Sequence, residues 1–170
     1  MVEKLRAYRQ QGFEIVICSA RTYTRDYQDA VAIWDEAGTN ILLGRKEHSK
    51  QWRLVGGFVD PTDASFAAAA RREVSEETGL AITDPQFIAS ARIDDWRYRG
   101  EPDGIMSALF SAKVQFGSPK PNDDIAALKW FNITDLADAE VFEREIVPTH
   151  HEILTIALNH QLKRLRPEAG

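Results

Sequence analysis

Three glutamates lie within five residues of one another, at Glu73, Glu76 and Glu77, near the end of the stretch GGFVDPTDASFAAAARREVSEETGL. On a helix Glu73 is about one turn from both Glu76 and Glu77, so their like charges repel one another. A bound cation is the usual agent that offsets such repulsion, because hard divalent cations prefer carboxylate oxygens. The alternative is a solvated helix surface on which the two preceding arginines compensate the charge. The residue types alone leave both interpretations open.

The elements around these glutamates favour a buried position for them. A helix is predicted from Ser65 to Thr78, with Gly79 as its C-terminal cap. At about 3.6 residues per turn, one stripe of this helix changes from apolar to acidic along its length: Phe66, Ala70, Glu73 and Glu77. A solvated face would carry its charges opposite the apolar side. We therefore expect these acids to point into a cleft, where carboxylates are costly unless they are paired or bind a metal.

The same stretch resembles the signature of the Nudix hydrolases. That signature is a glycine, five residues, an acid, seven residues, Arg-Glu, an aliphatic residue, any residue, Glu-Glu, any residue, a glycine and an aliphatic residue. Here five residues separate Gly57 from Asp63, and REVSEETGL, residues 72–80, fills the second half. Two departures lie between the halves, since Asp63 replaces the usual glutamate and eight residues separate it from Arg72 instead of seven. We expect the loop or the first helical turn to absorb the extra residue.

The resemblance implies a loop–helix–loop that holds magnesium as the cofactor, with manganese as a substitute. Magnesium keeps several waters and bridges substrate phosphates. The implied reaction is the attack of water on a phosphorus atom of a diphosphate. By position, the metal ligands that the resemblance implies are the backbone carbonyl of Gly57 and the side chains of Glu73, Glu76 and Glu77.

The resemblance also implies a set of catalytic residues. Arg72 is expected to pair with an acid and orient it. Within the family the general base is either a glutamate of the signature, here Glu76, or an acid of a distal loop. Asp123 and Asp124 precede a strand at the place where a distal acid would act, and at most one of them is expected to face the site, because adjacent residues of an extended chain point opposite ways. Turn chemistry after the sequence PKPN is the alternative explanation for both aspartates.

The resemblance covers roughly residues 28–163 and is clearest to ADP-ribose pyrophosphatase-type members. It also includes the Nudix half of bifunctional nicotinamide-mononucleotide adenylyltransferases. The implied substrate is ADP-ribose, cleaved to AMP and ribose 5-phosphate, and the alternatives are a nucleoside diphosphate sugar or a nucleoside triphosphate. A non-catalytic ADP-ribose-sensing regulatory domain is the alternative of another class, although this chain keeps every acid of the metal-binding half. The expected substrate-binding residues are basic and aromatic: Arg45, Trp52, Phe58, Arg97 and Arg99.

Composition places the chain among soluble globular domains and limits its expected partners. Of its 170 residues, 44% are apolar and 28% are charged, and the net charge is −5. A protein that coats nucleic acid carries the opposite charge, so we expect a small-molecule nucleoside diphosphate derivative as partner and no nucleic acid. No apolar run approaches membrane-spanning length and Cys18 has no second cysteine to pair with, so a cytoplasmic protein is predicted. Analogy with related ADP-ribose hydrolases predicts a homodimer.

The pattern of strands and helices predicts the α/β class, as a mixed sheet flanked by helices, and the resemblance implies a Nudix α/β/α sandwich. We predict an N-terminal helix–strand extension over residues 1–25 and a Nudix domain over residues 26–170. The extension resembles a piece of haloacid-dehalogenase-type phosphatases, but without the aspartate strand that their active site requires, so an edge strand or a dimer arm is expected. After the sheet, we expect a helical turn capped by Thr134 or Asp135 and a last helix that begins at Pro148. The predicted strands are residues 13–20, 27–35, 41–46, 51–60, 86–96, 104–116 and 127–133.

Overall fold

The computed structural model describes residues 27–93 and 105–166 of the chain. The predicted extension over residues 1–25, with its strand at 13–20, lies outside the described residues, as do Arg97 and Arg99. Within the described ranges, no helix combines the length and the apolar composition that crossing a bilayer requires.

In the described residues, six strands form one mixed sheet. They are β1 (Tyr27–Trp34), β2 (Asn40–Lys46), β3 (Ala81–Ile82), β4 (Gln86–Ile93), β5 (Ile105–Phe116) and β6 (Ile125–Asn132). Their order in the sheet is β3-β5-β1-β2-β6, and β4 also pairs with β5. Strands β1 and β5 run parallel, whereas every other pair is antiparallel. The prediction of an α/β protein with a mixed sheet is confirmed.

The helices in the described residues are α1 (Phe66–Thr78), α2 (Ala139–Glu145) and α3 (His151–Leu165), with a 3-10 turn at Pro148–His150 leading into α3. Helix α1 has the caps that its sequence predicts. The hydroxyl of Ser65 accepts a hydrogen bond from the backbone N–H of Ala68 at 3.1 Å. At the other end Gly79 adopts a left-handed conformation with φ of 67°, which glycine reaches without steric cost.

Helix α2 begins later than the sequence pattern predicts. Neither Thr134 nor Asp135 caps it; the carboxylate of Asp138 accepts hydrogen bonds from two backbone N–H groups of its first turn, at 2.9 and 3.0 Å. Thr134 is held in a local turn, because the side-chain oxygen of Asn132 accepts from its backbone N–H at 2.9 Å and from its hydroxyl at 2.6 Å. The predicted cap residues are therefore wrong, because a side chain at the end of β6 competes for Thr134.

The sheet separates two apolar layers, because successive side chains of a strand point to opposite faces. On β1, Ala32 and Trp34 belong to the layer that packs against α3, whereas Val31 and Ile33 belong to the layer that packs against α1. Ala69 and Ala70 of α1 are fully buried, so the backbone of this helix approaches the sheet closely. Glu73 and Glu77, which lie on the same side of α1 as Ala70, are therefore close to the sheet.

The segment 52–58 lies in the fork between β1 and β2. These two strands pair only near Trp34 and then diverge. In the fork, Val55 forms an isolated bridge to β1, and Arg53 forms another to β2. Because the segment contacts both strands in turn, it builds no continuous ladder with either, and the prediction of a regular strand over residues 51–60 is wrong. The same placement puts Gly56 and Gly57, which are part of this segment, against β1.

Candidate active site

Glu77 is buried beside the double glycine. The residue is 4% exposed, and its Oε2 atom accepts a hydrogen bond from the backbone N–H of Gly56 at 3.0 Å. Burial raises the pKa of Glu77 to about 8; the Gly56 N–H opposes that rise, and the neighbouring carboxylates of Asp124 and Glu73 add to it. A nearby cation would favour the charged form of such a carboxylate, because positive charge replaces the hydration that burial removes.

Glu73 lies against the second glycine of the pair. A Cβ atom on Gly57 would stand 2.6 Å from Oε2 of Glu73, so only glycine lets the carboxylate approach the backbone this closely. Burial raises the pKa of Glu73, its hydrogen bond with Arg72 lowers it, and the charges of Glu76 and Asp123 raise it further. The carboxylates of Glu73 and Glu77 on the helix therefore contact the loop backbone at the two glycines.

A third buried acid, Asp29 on β1, meets the same glycines and escapes the sequence prediction. Its Oδ1 atom accepts a hydrogen bond from the N–H of Gly57 at 3.0 Å, and its own backbone N–H donates to the Gly57 carbonyl at 2.9 Å. Burial raises the pKa of Asp29 to about 7, although the Gly57 hydrogen bond opposes the rise. The sequence feature that could have predicted it is an aspartate next to the apolar run of the strand YQDAVAIW, because a charged residue is rarely buried without a partner.

Arg72 joins the loop before α1 to the helix. Its guanidinium binds Asp63 through two hydrogen bonds, from Nε to Oδ1 at 3.2 Å and from an Nη atom to Oδ2 at 2.8 Å. The same group contacts a carboxylate oxygen of Glu73 at 2.7 Å and of Glu76 at 2.9 Å. It also donates to the backbone carbonyl of Phe58 at 3.1 Å. Asp63 thus reaches Arg72 in a two-pronged ion pair despite the extra residue between them.

The loop between β5 and β6 is attached to the C-terminal end of α1. The backbone N–H of Asn122 donates to the Glu77 carbonyl at 3.0 Å, and its side-chain amide donates to the Glu76 carbonyl at 2.9 Å. These bonds satisfy carbonyls that a helix end leaves without partners. They also hold the next two residues, Asp123 and Asp124, near the glutamates. Asn122 is a second residue that the sequence prediction leaves out, because its chemistry there resembles that of an ordinary turn.

Both aspartates of this loop act on the buried glutamates. The charge of Asp123 raises the pKa of Glu73, and that of Asp124 raises the pKa of Glu77. The alternation expected of an extended chain does not apply, because Asp123 has φ of 53° and lies in a turn before β6 begins. Asp124 in addition forms an ion pair with Lys46 at the end of β2.

A cleft of about 820 Å³ adjoins these acids. Its walls come from the end of β2, the loop before β6 and the segment that precedes α3. They carry both positively and negatively charged side chains. The charged and titratable side chains that line it include Lys46, His48, Arg53, Asp123 and Asp124. A cleft with cations beside an acidic cluster suits a ligand that carries phosphate groups.

The predicted substrate residues lie in different places. The guanidinium of Arg45 stands 5.4 Å from the ring centroid of Trp52, which packs edge-on against Phe131 at 5.5 Å, on the α3 side of the sheet. Lys46, the next residue along β2, lines the cleft instead. Phe58 contributes its backbone carbonyl to Arg72. The predicted site residues that the fold brings together are Gly57, Arg72, Glu73, Glu76, Glu77, Asp123 and Asp124.

Residues 25–150 match the NUDIX domain, the family whose signature the glycine pair and the helix glutamates resemble. The chain belongs to the Nudix family. The match covers most of the chain and includes every acid described above. The family prediction made from residues 56–80 is therefore confirmed.

Known proteins similar to this Nudix chain differ in what they act on. It is 28% identical over 127 residues to an NAD-capped RNA hydrolase, NudC, of Deinococcus radiodurans, an alignment that covers 70% of this chain and 42% of that protein. Its fold is similar to that of an ADP-ribose pyrophosphatase from Streptococcus suis, with a TM-score of 0.59, 24% identity and coverage of 85% and 95% of the two chains.

The fold is also similar to that of the NUDIX domain of Shewanella oneidensis NrtR, solved as a complex with ADP ribose, with a TM-score of 0.60 and 16% identity. That likeness covers 97% of this chain and 98% of the other. The chain spans 35–42% of the length of the NudC relatives that it matches. These similarities agree on the fold and do not select one substrate.

The donor set of this Nudix domain fits a hard divalent cation. All side-chain donors around the glycines are carboxylates, and one of their oxygens, Oδ2 of Asp29, is buried without a hydrogen-bond partner. The close approach at Gly57 leaves room for a carboxylate and a backbone carbonyl at one place. In the part of the chain that the structure describes, no three acidic, histidine or cysteine side chains form a ready metal cage. Arg72 binds oxygens of Glu73 and Glu76 instead.

Proposed function

We propose that the chain is a divalent-cation-dependent pyrophosphohydrolase that cleaves a nucleoside diphosphate linked to another moiety. The observation that carries this proposal is the arrangement at the double glycine. There, Glu73 and Glu77 meet the loop backbone beside a cleft that Lys46 and Arg53 line. Membership of the Nudix family supports hydrolase activity on pyrophosphate bonds. Acidic ligands and cationic side chains in one cleft suit a substrate whose diphosphate is bound together with a metal.

The cofactor that we propose is Mg²⁺, with Mn²⁺ as a substitute. When bound, such a cation neutralises charge on the diphosphate and lowers the pKa of water. The protein supplies the geometry. Arg72 connects Asp63 on the loop to the acids on the helix, which fixes the distance between the loop and the helix. The ligands that we propose are the carbonyl of Gly57 and the carboxylates of Glu73, Glu76 and Glu77.

The general base that we propose is a carboxylate at the edge of the cleft. Asp124 is about half exposed, lines the cleft and interacts with Lys46 and Glu77, so a water held in the cleft is within its reach. Glu76 and Asp123 are the other two residues that we assign to this set. Measuring kcat and the dissociation constant for Mn²⁺ in Asp124→Asn, Asp123→Asn and Glu76→Gln separates them. Loss of a base that binds no metal lowers kcat alone, whereas loss of Glu76, which we also propose as a ligand, lowers kcat and weakens metal binding.

ADP-ribose is the substrate that we favour, with AMP and ribose 5-phosphate as products. The cleft volume accommodates a nucleotide derivative, and its lysine, arginine and histidine suit the two phosphates. The similar folds of an ADP-ribose pyrophosphatase and of a domain solved with ADP ribose support this choice. A nucleoside diphosphate sugar, which has the same diphosphate core, is the nearest alternative.

A substrate panel tests the proposal. Purified protein with Mg²⁺ is incubated with ADP-ribose, nucleoside diphosphate sugars, nucleoside triphosphates and NAD-capped RNA, and products are separated by chromatography. We expect the highest kcat/KM for ADP-ribose, with AMP as a product, and no turnover when EDTA replaces Mg²⁺. Preferential hydrolysis of a triphosphate, or of capped RNA, would contradict the favoured substrate, and turnover without any metal would contradict the cofactor.

A regulatory domain that binds ADP-ribose without cleaving it is the second function to separate. The fold similarity to the NUDIX domain of NrtR along nearly the whole chain favours considering it. Calorimetric titration with ADP-ribose in Mg²⁺, followed by analysis of the recovered ligand, distinguishes the two. An enzyme returns AMP, whereas a sensor returns intact ADP-ribose.

Three further properties remain proposals: a homodimer, a cytoplasmic location, and the division into an extension over residues 1–25 and a Nudix domain over residues 26–170. Light scattering of the full chain and of a variant that starts at Arg25 tests the first and the third together. We expect a dimer for the full chain. Loss of the dimer in the shorter variant supports an N-terminal arm, and an unchanged dimer contradicts one.

A further inference from the structure

Asp29 stands out among the acids of residues 27–93 and 105–166 because it lies on a central strand. The residue is 3% exposed and lies on the face of β1 that also carries Val31 and Ile33. Strand β1 has β5 on one side and the fork with segment 52–58 on the other. A carboxylate on such a strand loses its hydration and remains only where its contacts compensate. Its hydrogen bonds with Gly57 and its close approach to Gly56 supply such contacts.

Two hydrogen bonds of opposite direction join Asp29 to Gly57. The backbone N–H of Asp29 donates to the Gly57 carbonyl at 2.9 Å, and the Gly57 N–H donates to Oδ1 of Asp29 at 3.0 Å. Both polar groups of Gly57 are therefore oriented by one residue. The carbonyl keeps a second lone pair, which is the one available to a cation.

The neighbouring Gly56 shows how closely Asp29 encloses this segment. Gly56 has φ of 141°, and a Cβ atom there would stand 2.4 Å from the backbone oxygen and 2.8 Å from Oδ1 of Asp29. On its other side, the Gly56 N–H binds Glu77 at 3.0 Å. The glycine pair is thus held between a strand carboxylate and a helix carboxylate, with Glu73 against Gly57 as a third contact.

We propose that Asp29 is a positioning residue of the cation site. The hydrogen bond to its Oδ1 atom fixes the position of the Gly57 peptide. It thereby fixes the distance between the Gly57 carbonyl and the glutamates of α1. Asp29 acts through this hydrogen bond, since its Oδ1 atom and its backbone N–H both bond to Gly57. Its Oδ2 atom, which has no hydrogen-bond partner among the described residues, is the one through which Asp29 would instead bind a cation directly, and the asparagine variant separates the two roles. The inference rests on the proposed metal-dependent hydrolysis and names a residue outside the family signature.

The experiment compares Asp29→Ala, which removes the acceptor, with Asp29→Asn, whose amide oxygen can still accept from Gly57. Ser111→Ala is the matched control, because Ser111 is a buried polar residue whose hydroxyl accepts from the indole N–H of Trp34, in the layer facing α3. Three quantities are measured: the dissociation constant for Mn²⁺ by electron paramagnetic resonance without substrate, kcat and KM in Mg²⁺, and the thermal unfolding midpoint.

We expect Asp29→Ala to weaken Mn²⁺ binding and to lower kcat by about 10–100-fold, the range that residues supporting metal ligands show when they are replaced. Asp29→Asn should restore both to within about threefold of the wild type, and Ser111→Ala should lower only the unfolding midpoint. If Asp29→Ala does not fold, Asp29→Ser takes its place, because its shorter hydroxyl cannot span the distance to Gly57.

Two outcomes would overturn the inference. Wild-type Mn²⁺ affinity in the alanine variant would leave Asp29 a purely structural residue. Equal losses in the asparagine and alanine variants would show that the negative charge is required, which makes Asp29 a direct ligand. The proposed function fails separately, when the wild-type protein itself binds no Mn²⁺ and hydrolyses none of the diphosphate substrates.

Discussion

The two faces of the central sheet come from the same strands but bury different chemistry. The layer facing α3 is apolar, and its buried polar Ser111 is hydrogen-bonded to Trp34 at 3.1 Å. The layer facing α1 buries Asp29 and Glu77, and burial raises the pKa of both. Because apolar burial stabilises a fold and buried acids destabilise it, the α3 face mainly supplies stability and the α1 face supplies the site. Mutations on the α3 face should therefore lower the free energy of unfolding, and mutations on the α1 face should lower kcat.

The largest expected effect is the loss of activity in Glu77→Gln. The amide keeps an acceptor for the Gly56 N–H but removes the negative charge, so we expect kcat to fall by at least about a hundredfold, since metal-based stabilisation amounts to several kcal/mol. The unfolding midpoint should stay the same or rise, because a buried charge is removed. The control is Glu152→Gln, an exposed position on α3. Activity near that of the wild type in Glu77→Gln would contradict the assigned metal site.

On the α3 face, Leu154→Ala should have the opposite profile. Leu154 is fully buried, so its truncation leaves a cavity and lowers the free energy of unfolding by about 2–5 kcal/mol. At a temperature where the variant remains folded, kcat and KM should match the wild type. Denaturant unfolding and steady-state kinetics on the same sample check this. A large drop in kcat without unfolding would show that the two faces are not independent.

The acids of the α1 face should make the stability of the metal-free protein depend on pH. Their pKa values rise on folding, from 3.8 to about 7 for Asp29 and from 4.5 to about 8 for Glu77, so the folded state binds more protons between these values. This stabilisation is complete below the unfolded pKa and is lost as the pH rises through 7 and 8.

We expect the unfolding midpoint in EDTA to fall from pH 5 to pH 9, because the folded protein loses the protons that its buried acids hold. Calorimetry across this range measures it. Added Mg²⁺ should raise the midpoint most at the alkaline end, where the acids are charged. A flat midpoint in EDTA, or an equal effect of Mg²⁺ at both ends, would contradict the buried acid cluster.

The smallest effect should come from two adjacent residues of β2 that make different contacts. Lys46 lines the cleft and pairs with Asp124, so Lys46→Ala should raise KM about tenfold, the loss of one charge-assisted contact. Arg45 stacks over Trp52, so Arg45→Ala should leave KM within about twofold. Initial-rate kinetics on the favoured substrate check both. A larger change in KM for Arg45→Ala would reverse the assignment.

The helix of the site could be predicted because its information is local. The acids of residues 72–80 follow helical spacing, and the caps at Ser65 and Gly79 have side-chain or backbone preferences that act over a few residues. The same holds for β1, β2, β4, β5 and β6, whose apolar runs are bounded by turn residues, whereas the sequence pattern does not predict the two-residue strand β3. The cap of α2 could not be predicted, because Asn132 competes for Thr134 in a way that residue type alone does not rank.

The other residues of the site depend on which segments meet. Asp29 is about 28 positions from Gly57 in the chain and contacts it only because β1 and β2 diverge and admit the segment 52–58. Arg45 and Lys46 are equally basic, yet Lys46 lines the cleft whereas Arg45 lies over Trp52, and the register of β2 against β6 shifts between them. Asp63 has an extra residue before Arg72, and only the folded loop brings the two side chains together.

By itself, the sequence determined the α/β class, the family and the helix that carries Glu73, Glu76 and Glu77, because periodicity and spacing act within one element. Only the tertiary structure added Asp29 and Lys46 to them and placed Asp124, one of the two predicted distal acids, beside Glu77. Their contacts close loops of many residues, and pairing in the sheet, not local preference, selects which side chains share the cleft.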